Sequence, residues 1–163
     1  MSDNRFAREG FFSKLLATFF FSGYLPRAPG TWGSGFTLII LFFFWPPQWY
    51  YQVVAIAAVY IFGVWISGKA EEYLGHDARA IVIDEVAGQM TALFMAPAKF
   101  VPFVLGFALF RFFDIYKPPP ANVWQRYRRG WGVMADDIAS GIYAACVLQL
   151  ILFFLDKWGV SYV

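Results

Sequence analysis

Arg111-Phe112-Phe113-Asp114-Ile115-Tyr116-Lys117-Pro118 is the place where a long apolar run, Phe100 to Phe113, meets water. Arg111 and Asp114 stand three residues apart, so on a helix they share one face and leave the apolar medium together. Lys117 adds a second cation, and Pro118-Pro119-Pro120 stops the helix. Taken alone, the segment reads as a snorkelling ion pair that closes a membrane helix. Two further carboxylate pairs, Asp84-Glu85 and Asp136-Asp137, stand at other edges of apolar runs and change what it implies.

The surrounding chain is poor in groups that could face water. Its 163 residues suit one domain, 1–163, and are 60% hydrophobic, 22% aromatic and only 15% charged, with a mean hydropathy of +0.53. Soluble domains carry about a quarter charged residues. The expected fold class is therefore all-α, an integral membrane helical bundle. A net charge of +2, with no basic stripe interleaved with aromatics, argues against nucleic acid. The one cysteine, Cys146, lies among Ala, Val and Leu; it forms no intrachain disulfide and reads as a small packing residue rather than a catalytic thiol. Phe11 to Phe21 is too interrupted for a cleaved signal peptide, so targeting falls to the first span.

Phe11 to Ser22 reads as an amphipathic aromatic helix at the membrane surface. A turn-rich linker, Gly23 to Gly35, leads into the short run Phe36 to Trp45, which helical continuation back through Thr31 would lengthen. Tyr50 to Ser67 is the clearest span, with small residues for close helix packing. A polar loop, Lys69 to Ala80, holds the only histidine, His76. Ile81 to Phe113 reads as a hairpin of two short helices, about Ile83 to Ala96 and about Phe100 to Ile115. Each falls below the roughly 20 residues of a straight crossing. Lys117 to Gly130 is a basic, proline-led loop, and Ile138 to Leu155 is long enough to span. The expectation is about five short or full membrane helices plus the N-terminal amphipathic one.

With five crossings and a cytoplasmic N-terminus, eleven of the thirteen cations fall on the inner side; only Lys99 and Lys157 lie outside. The same topology puts Asp84-Glu85, Asp114, Asp136-Asp137 and the Gly30 to Gly35 turn on the inner side. Nothing in the charge rule required the carboxylates to converge there.

Clustered carboxylates in a chain with one His and one unpromising Cys suggest a hard divalent cation such as magnesium, which takes oxygen ligands. A thiolate or histidine-rich zinc site is poorly supported. Adjacent helical residues point about 100° apart, so one member of each pair is expected to bind metal while the other caps a helix or orients a ligand. Asp136 is placed as the N-cap of a helix entering at Ile138, which leaves Asp137 as the ligand. For Asp84-Glu85 the choice stays open. Pro29-Gly30-Thr31-Trp32-Gly33-Ser34-Gly35 has the composition of a turn feeding a helix, either a plain turn or an anion cradle, and lacks the nucleotide-loop ending. Arg27, Arg111 and Lys117 are candidates for neutralising phosphate. Arg126, Arg128 and Arg129 suit an anionic-lipid anchor, and His76-Asp77 is ambiguous. Metal, cations and a bilayer together suggest phosphoryl chemistry on a lipid headgroup, by activated water or an aspartyl phosphoenzyme.

Four ordered blocks then bring in a family. Pro26-x-x-Pro29-Gly30-Thr31-x-Gly33-Ser34 is followed by His76-Asp77 with Ile81-Val82-x-Asp84-Glu85-x-x-Gly88. Phe110-Arg111-x-x-Asp114-x-x-Lys117-Pro118 comes next, then Gly130-x-Gly132-x-Met134-x-Asp136-Asp137-x-x-x-Gly141. In that order they resemble bacterial phosphatidylglycerophosphatase A and cover most of Tyr24 to Gly141. The resemblance implies a magnesium-dependent enzyme of the bacterial inner membrane, multi-pass, with its site facing the cytoplasm. The implied reaction removes the terminal phosphate of phosphatidylglycerophosphate to give phosphatidylglycerol. By matching positions it implies metal ligation by Asp84, Glu85, Asp114 and Asp137, with Asp136 in support. Thr31, Arg111 and Lys117 fall in matching blocks and, with Arg27, are expected to bind the phosphate. One departure stands out: Arg128-Arg129-Gly130-Trp131-Gly132 replaces a His-Gly-Gly type turn, so no histidine carries over there.

A rival from another class is an ion or divalent-metal transporter using the same carboxylates. It needs polar groups through the bilayer depth, and the two longest runs offer only Gln52 and Gln149 besides hydroxyls. A third reading, a non-enzymatic partner that binds anionic lipid, leaves the acidic convergence unexplained.

Overall fold

The computed structural model describes residues 3–75, 78–119, 121–124 and 130–160, with side chains from Gly10 onward. His76, Asp77, Arg126, Arg128 and Arg129 lie outside the described residues. The described chain is all-helical: α1 (Asp3–Ala17), α2 (Pro29–Phe44), α3 (Trp49–Leu74), α4 (Ile83–Ala92), α5 (Phe100–Tyr116), α6 (Ala121–Trp124) and α7 (Trp131–Lys157), with a 3-10 turn at Ser22–Tyr24.

Helix α4 is the axis of the bundle. It packs most extensively on α7 and also touches α2, α3 and α5. All its residues except Glu85 are buried. At one end of the bundle the α2–α3 corner, the α4–α5 corner and the last turns of α7 line a common hollow. At the other end the starts of α2 and α4, the end of α5 and the second turn of α7 line another. Among the described residues, α2, α4, α5 and α7 therefore run between the two ends, with α3 packed along α4 and α7.

Among the described residues only α3, with 26 residues and an 18-residue stretch of mean hydropathy 1.8, and α7, with 27 residues and a stretch of 2.2, are long and apolar enough to cross a membrane alone. Around them the surface is apolar. Ile39, Phe43 and Phe44 of α2, Val54 and Ile61 of α3, and Leu150 and Phe153 of α7 are all exposed. Water-soluble monomers rarely expose so much contiguous apolar surface. A membrane protein is what the length and this surface together support.

At 10 residues α4 rises about 15 Å, about half the thickness of a hydrocarbon core. A helix that ends inside an apolar medium leaves backbone groups that must find partners. Here they do. Trp45 Nε1 donates to Leu93 O at 3.2 Å, and Gln149 Nε2 donates to Phe94 O at 2.9 Å. Met95 N donates to Gln52 Oε1 at 2.8 Å, while Gln52 Nε2 donates to Pro46 O at 2.7 Å. Buried Gln52 and partly buried Gln149, the two glutamines of the longest apolar runs, thus help close α4.

Several boundaries differ from those expected. The N-terminal helix ends at Ala17 rather than Ser22, because Phe19, Phe20 and Phe21 all take left-handed backbone, with φ of 43°, 56° and 65°. Helix α3 continues through Lys69-Ala70-Glu71-Glu72, which are good helix formers. The expected helix Ile83 to Ala96 stops at Ala92, and the proline-led loop contains α6. Most consequential, α7 begins at Trp131 rather than Ile138. Gly130, at φ 75°, sits against Val64 O and 2.9 Å from Gly68 N by any Cβ it could carry, so only glycine fits and the helix starts directly after it. Asp136 is therefore no N-cap. It lies buried in the second turn of α7.

Candidate active site

The site is built on one close helix crossing. A Cβ on Gly141 of α7 would lie 2.5 Å from Gly88 O and 2.8 Å from Thr91 Cβ, and one on Gly88 would lie 2.9 Å from Asp137 O. Two glycines thus let the backbones of α4 and α7 touch. Each follows an aspartate by one helical turn, Asp84 before Gly88 and Asp137 before Gly141, so the contact brings the two carboxylates together. Carboxylate oxygens of Asp84, Glu85 and Asp137 all lie within 4.8 Å of one another.

Glu85 also faces α2. Any Cβ on Gly30 would collide with Glu85 Oε1 and stand 3.1 Å from Arg111 Nη1. The glycine in the first turn of α2 is therefore needed for a carboxylate to approach that helix's positive end. Both members of the Asp84-Glu85 pair reach one centre, contrary to the expected division of labour. The longer glutamate side chain makes up for the 100° between their directions.

Two cations complete the arrangement. Arg111 Nη1 pairs with Asp114 Oδ2 at 2.9 Å and donates to Ser34 Oγ at 3.2 Å, while Ser34 Oγ donates to Gly30 O at 2.8 Å. Lys117, at φ 44° directly after α5, turns its ammonium back over the carboxylates. It pairs with Asp136 Oδ2 at 2.5 Å and approaches Asp114 Oδ1 at 3.7 Å and Asp137 Oδ1 at 4.0 Å. Burial alone would lower the Lys117 pKa, but Asp137, Asp136 and Asp114 outweigh it and hold it above the usual lysine value.

Arg27, Asp84, Glu85, Arg111, Asp114, Lys117 and Asp137 all face one cleft of about 580 Å3. Thr31 is exposed and is not among the residues lining it. Asp136 lies beneath the wall, bonded to Lys117. Reading the sequence missed Arg79, which lines the cleft, and Ser34, which ties α2 to Arg111. Ser34 had a local signal, its place one turn after Gly30; Arg79 had only its sign.

The donor set can be tested for a cation. Asp84 Oδ1, Glu85 Oε2 and Asp137 Oδ2 are buried without a hydrogen-bond partner. Buried acceptors of this kind are costly unless something compensates them. Three converging carboxylates with no nitrogen or sulfur donor suit a hard divalent cation. The residues fit such an ion.

The sequence profile described as Phosphatidylglycerophosphatase A matches residues 15–152. The chain belongs to the phosphatidylglycerophosphatase A family. It is 36% identical to the phosphatidylglycerophosphatase A of Haemophilus influenzae over 147 residues, covering 86% of this chain and 89% of that one. It is also 36% identical to that of Escherichia coli over 142 residues, covering 84% and 81%. A Bacteroides thetaiotaomicron protein with the provisional name phosphatidylinositol-3-phosphatase is 33% identical over 162 residues, covering 94% and 99%. No solved structure matches the chain. Within this family match lie the Gly88–Gly141 crossing, the three carboxylates and both cations.

Proposed function

We propose that this phosphatidylglycerophosphatase A family member hydrolyses the terminal phosphomonoester of phosphatidylglycerophosphate to phosphatidylglycerol and inorganic phosphate. The observation that carries the reading is the convergence of three carboxylates, each with one buried oxygen that has no hydrogen-bond partner, beside Arg111 and Lys117, at one end of an apolar bundle. Family membership supplies the lipid substrate. In the net reaction the oxygen of water bonds to phosphorus and the bond from phosphorus to the glycerol oxygen breaks.

Asp84, Glu85 and Asp137 would hold the metal ion, and Asp114 stands next to them. Magnesium is the ion we assign. When bound, it supplies polarisation of the phosphoryl oxygens and a lowered pKa for bound water. The chain's own groups do the rest. Arg111, whose buried Nε has no partner, and the exposed Arg27 are set to receive phosphate oxygens. Asp114 and Ser34 fix the plane of the Arg111 guanidinium. Lys117 remains protonated and offsets the mutual repulsion of Asp114, Asp136 and Asp137. Thr31, on the exposed side of the same turn, is left the role of a headgroup contact.

The same reading puts α2, α3, the α4–α5 hairpin and α7 across the bacterial inner membrane, with the cleft on the cytoplasmic side, in keeping with the charge asymmetry. The transporter reading is not favoured. Gln52 and Gln149, the amides a polar path would need, are bonded to the backbone around the end of α4.

Phosphate release from phosphatidylglycerophosphate by the purified protein, with magnesium or with chelator, tests this. We expect turnover only with the metal, and its loss in Asp114→Asn and Asp137→Asn proteins that still insert and fold. Wild-type turnover in either variant overturns the site. Turnover of phosphatidylinositol 3-phosphate but not phosphatidylglycerophosphate keeps the phosphatase and discards the named substrate.

A further inference from the structure

An apolar groove of about 390 Å3 lies beside the cleft, between the Phe19–Leu25 segment and the outer face of α2. Two features tie it to the site. Along α2, Pro29 lines the cleft, and Phe36 and Ile40 line the groove. These positions are seven and eleven residues on from Pro29, so all three lie on one helix face, about 10 Å and 16 Å apart along the axis. On the opposite wall Leu25 lines the groove, and Arg27, two residues later, lines the cleft. The same two stretches of chain thus wall both cavities, with the groove farther along α2 than the cleft.

The second feature is how the outer wall is fixed. Three successive phenylalanines hold positive φ, a conformation bulky side chains seldom adopt. The turn is locked by Phe21 N donating to Thr18 Oγ1 at 3.1 Å, and by Gly23 N and Ser22 Oγ donating to Thr18 O, each at 3.1 Å. It is registered to the catalytic helix as well. Val82 N donates to Ala17 O at 2.9 Å, and Gly23 packs directly on Ala80 O, where any Cβ would collide. Val82 is two residues from Asp84. The wall of the groove is thus held in fixed relation to the carboxylates, and its one hydroxyl, on Ser22, is turned inward.

We propose that this groove seats one acyl chain of the lipid whose phosphate occupies the cleft. The proposal rests on the lipid-phosphatase reading. In a bilayer an acyl chain gains little by exchanging lipid for apolar protein, so the groove acts by position. It aligns the glycerol backbone and so sets where the terminal phosphate lies relative to Arg111 and the carboxylates.

The test fills the groove from either wall, with Ile40→Trp and with Leu25→Trp, neither of which touches the phosphate site. Turnover is compared on a long-chain phosphatidylglycerophosphate and on its dihexanoyl analogue, whose chains are too short to reach Ile40. We expect about a tenfold fall in kcat/KM on the long-chain lipid and little change on the short one. Equal losses on both, or none on either, overturn the proposal. Because a filled variant can misfold, wild-type protein is also exposed to phosphatidylglycerol carrying a photoreactive group in one acyl chain. Label concentrated on residues 19–25 and 36–40, and displaced by unlabelled phosphatidylglycerol, supports the groove; label spread evenly over the apolar surface overturns it. If wild-type protein releases phosphate from no lipid, the phosphatase reading has failed, and the labelling pattern still decides the groove.

Discussion

The two ends of α4 are opposites. At its C-terminal end Trp45, just past α2, Gln52 of α3 and Gln149 of α7 reach the backbone at Leu93, Met95 and Phe94, so neutral donors and acceptors find partners. At its N-terminal end Asp84 and Glu85 meet Asp137, and each keeps a buried oxygen without a partner. A half-length helix in an apolar medium must have its end closed for the fold to exist. Its charged start is left open, and an open, buried, charged cluster is costly unless a ligand compensates it. One end serves folding, and the other is where chemistry is expected.

The sharpest way to break the comparison is to make the charged end neutral. Asp84→Asn and Asp137→Asn are expected to lower phosphate release by about three orders of magnitude. With fewer like charges facing one another, the metal-free protein should melt no lower than wild type in detergent. A fall in melting temperature matching the fall in activity would mean that the carboxylates hold the fold together instead. Next in size, Gly141→Ala should disturb both ends through their shared crossing, because its Cβ meets the backbone of α4. The expected cost is about 1–3 kcal/mol of stability, with activity reduced even in the folded fraction. Gln149→Leu attacks the neutral end alone. It leaves Phe94 O without its donor, costing about 1–3 kcal/mol, while kcat in the folded fraction stays near wild type. An activity loss there without a stability loss would erase the contrast.

The smallest effect is on pH. Lys117 is held above its ordinary pKa by three carboxylates, so it contributes stability that is fully present below about pH 10.5 and lost as pH rises through its folded value. The stability difference between wild type and Lys117→Met should therefore be flat through neutral pH and shrink only above pH 10.5. A difference that changes between pH 6 and 8 would place the titrating group elsewhere.

How much of this was legible in the sequence differs from residue to residue. Asp114 and Arg111 could be read directly, because three residues on a helix fix a shared face whatever surrounds them. The all-helical class was legible for the same reason, being set by composition and period. Asp136 was misread because the start of α7 is set by Gly130, whose contact with Val64 and Gly68 is invisible to local pattern. The left-handed turn at Phe19–Phe21 runs against the local preference of phenylalanine, and bonds to Thr18, Leu15 and Leu16 and the contact of Gly23 with Ala80 hold it. Gln52 and Gln149 looked like isolated polar residues in spans, since their partners lie 43 and 55 residues away.

By itself, then, the sequence determined an all-helical chain apolar enough to suit a membrane, with three acidic clusters at the edges of apolar runs, and the motif blocks pointed to a family. Those properties follow from hydropathy, helical period and charge, which act locally. Only the tertiary structure decided that Asp84, Glu85 and Asp137 share one centre, that Lys117 lies over Asp136, and that α4 stops short. Each of these depends on two backbones meeting at Gly88 and Gly141, or on side chains reaching across helices, and no local stretch of sequence contains both sides of such a contact.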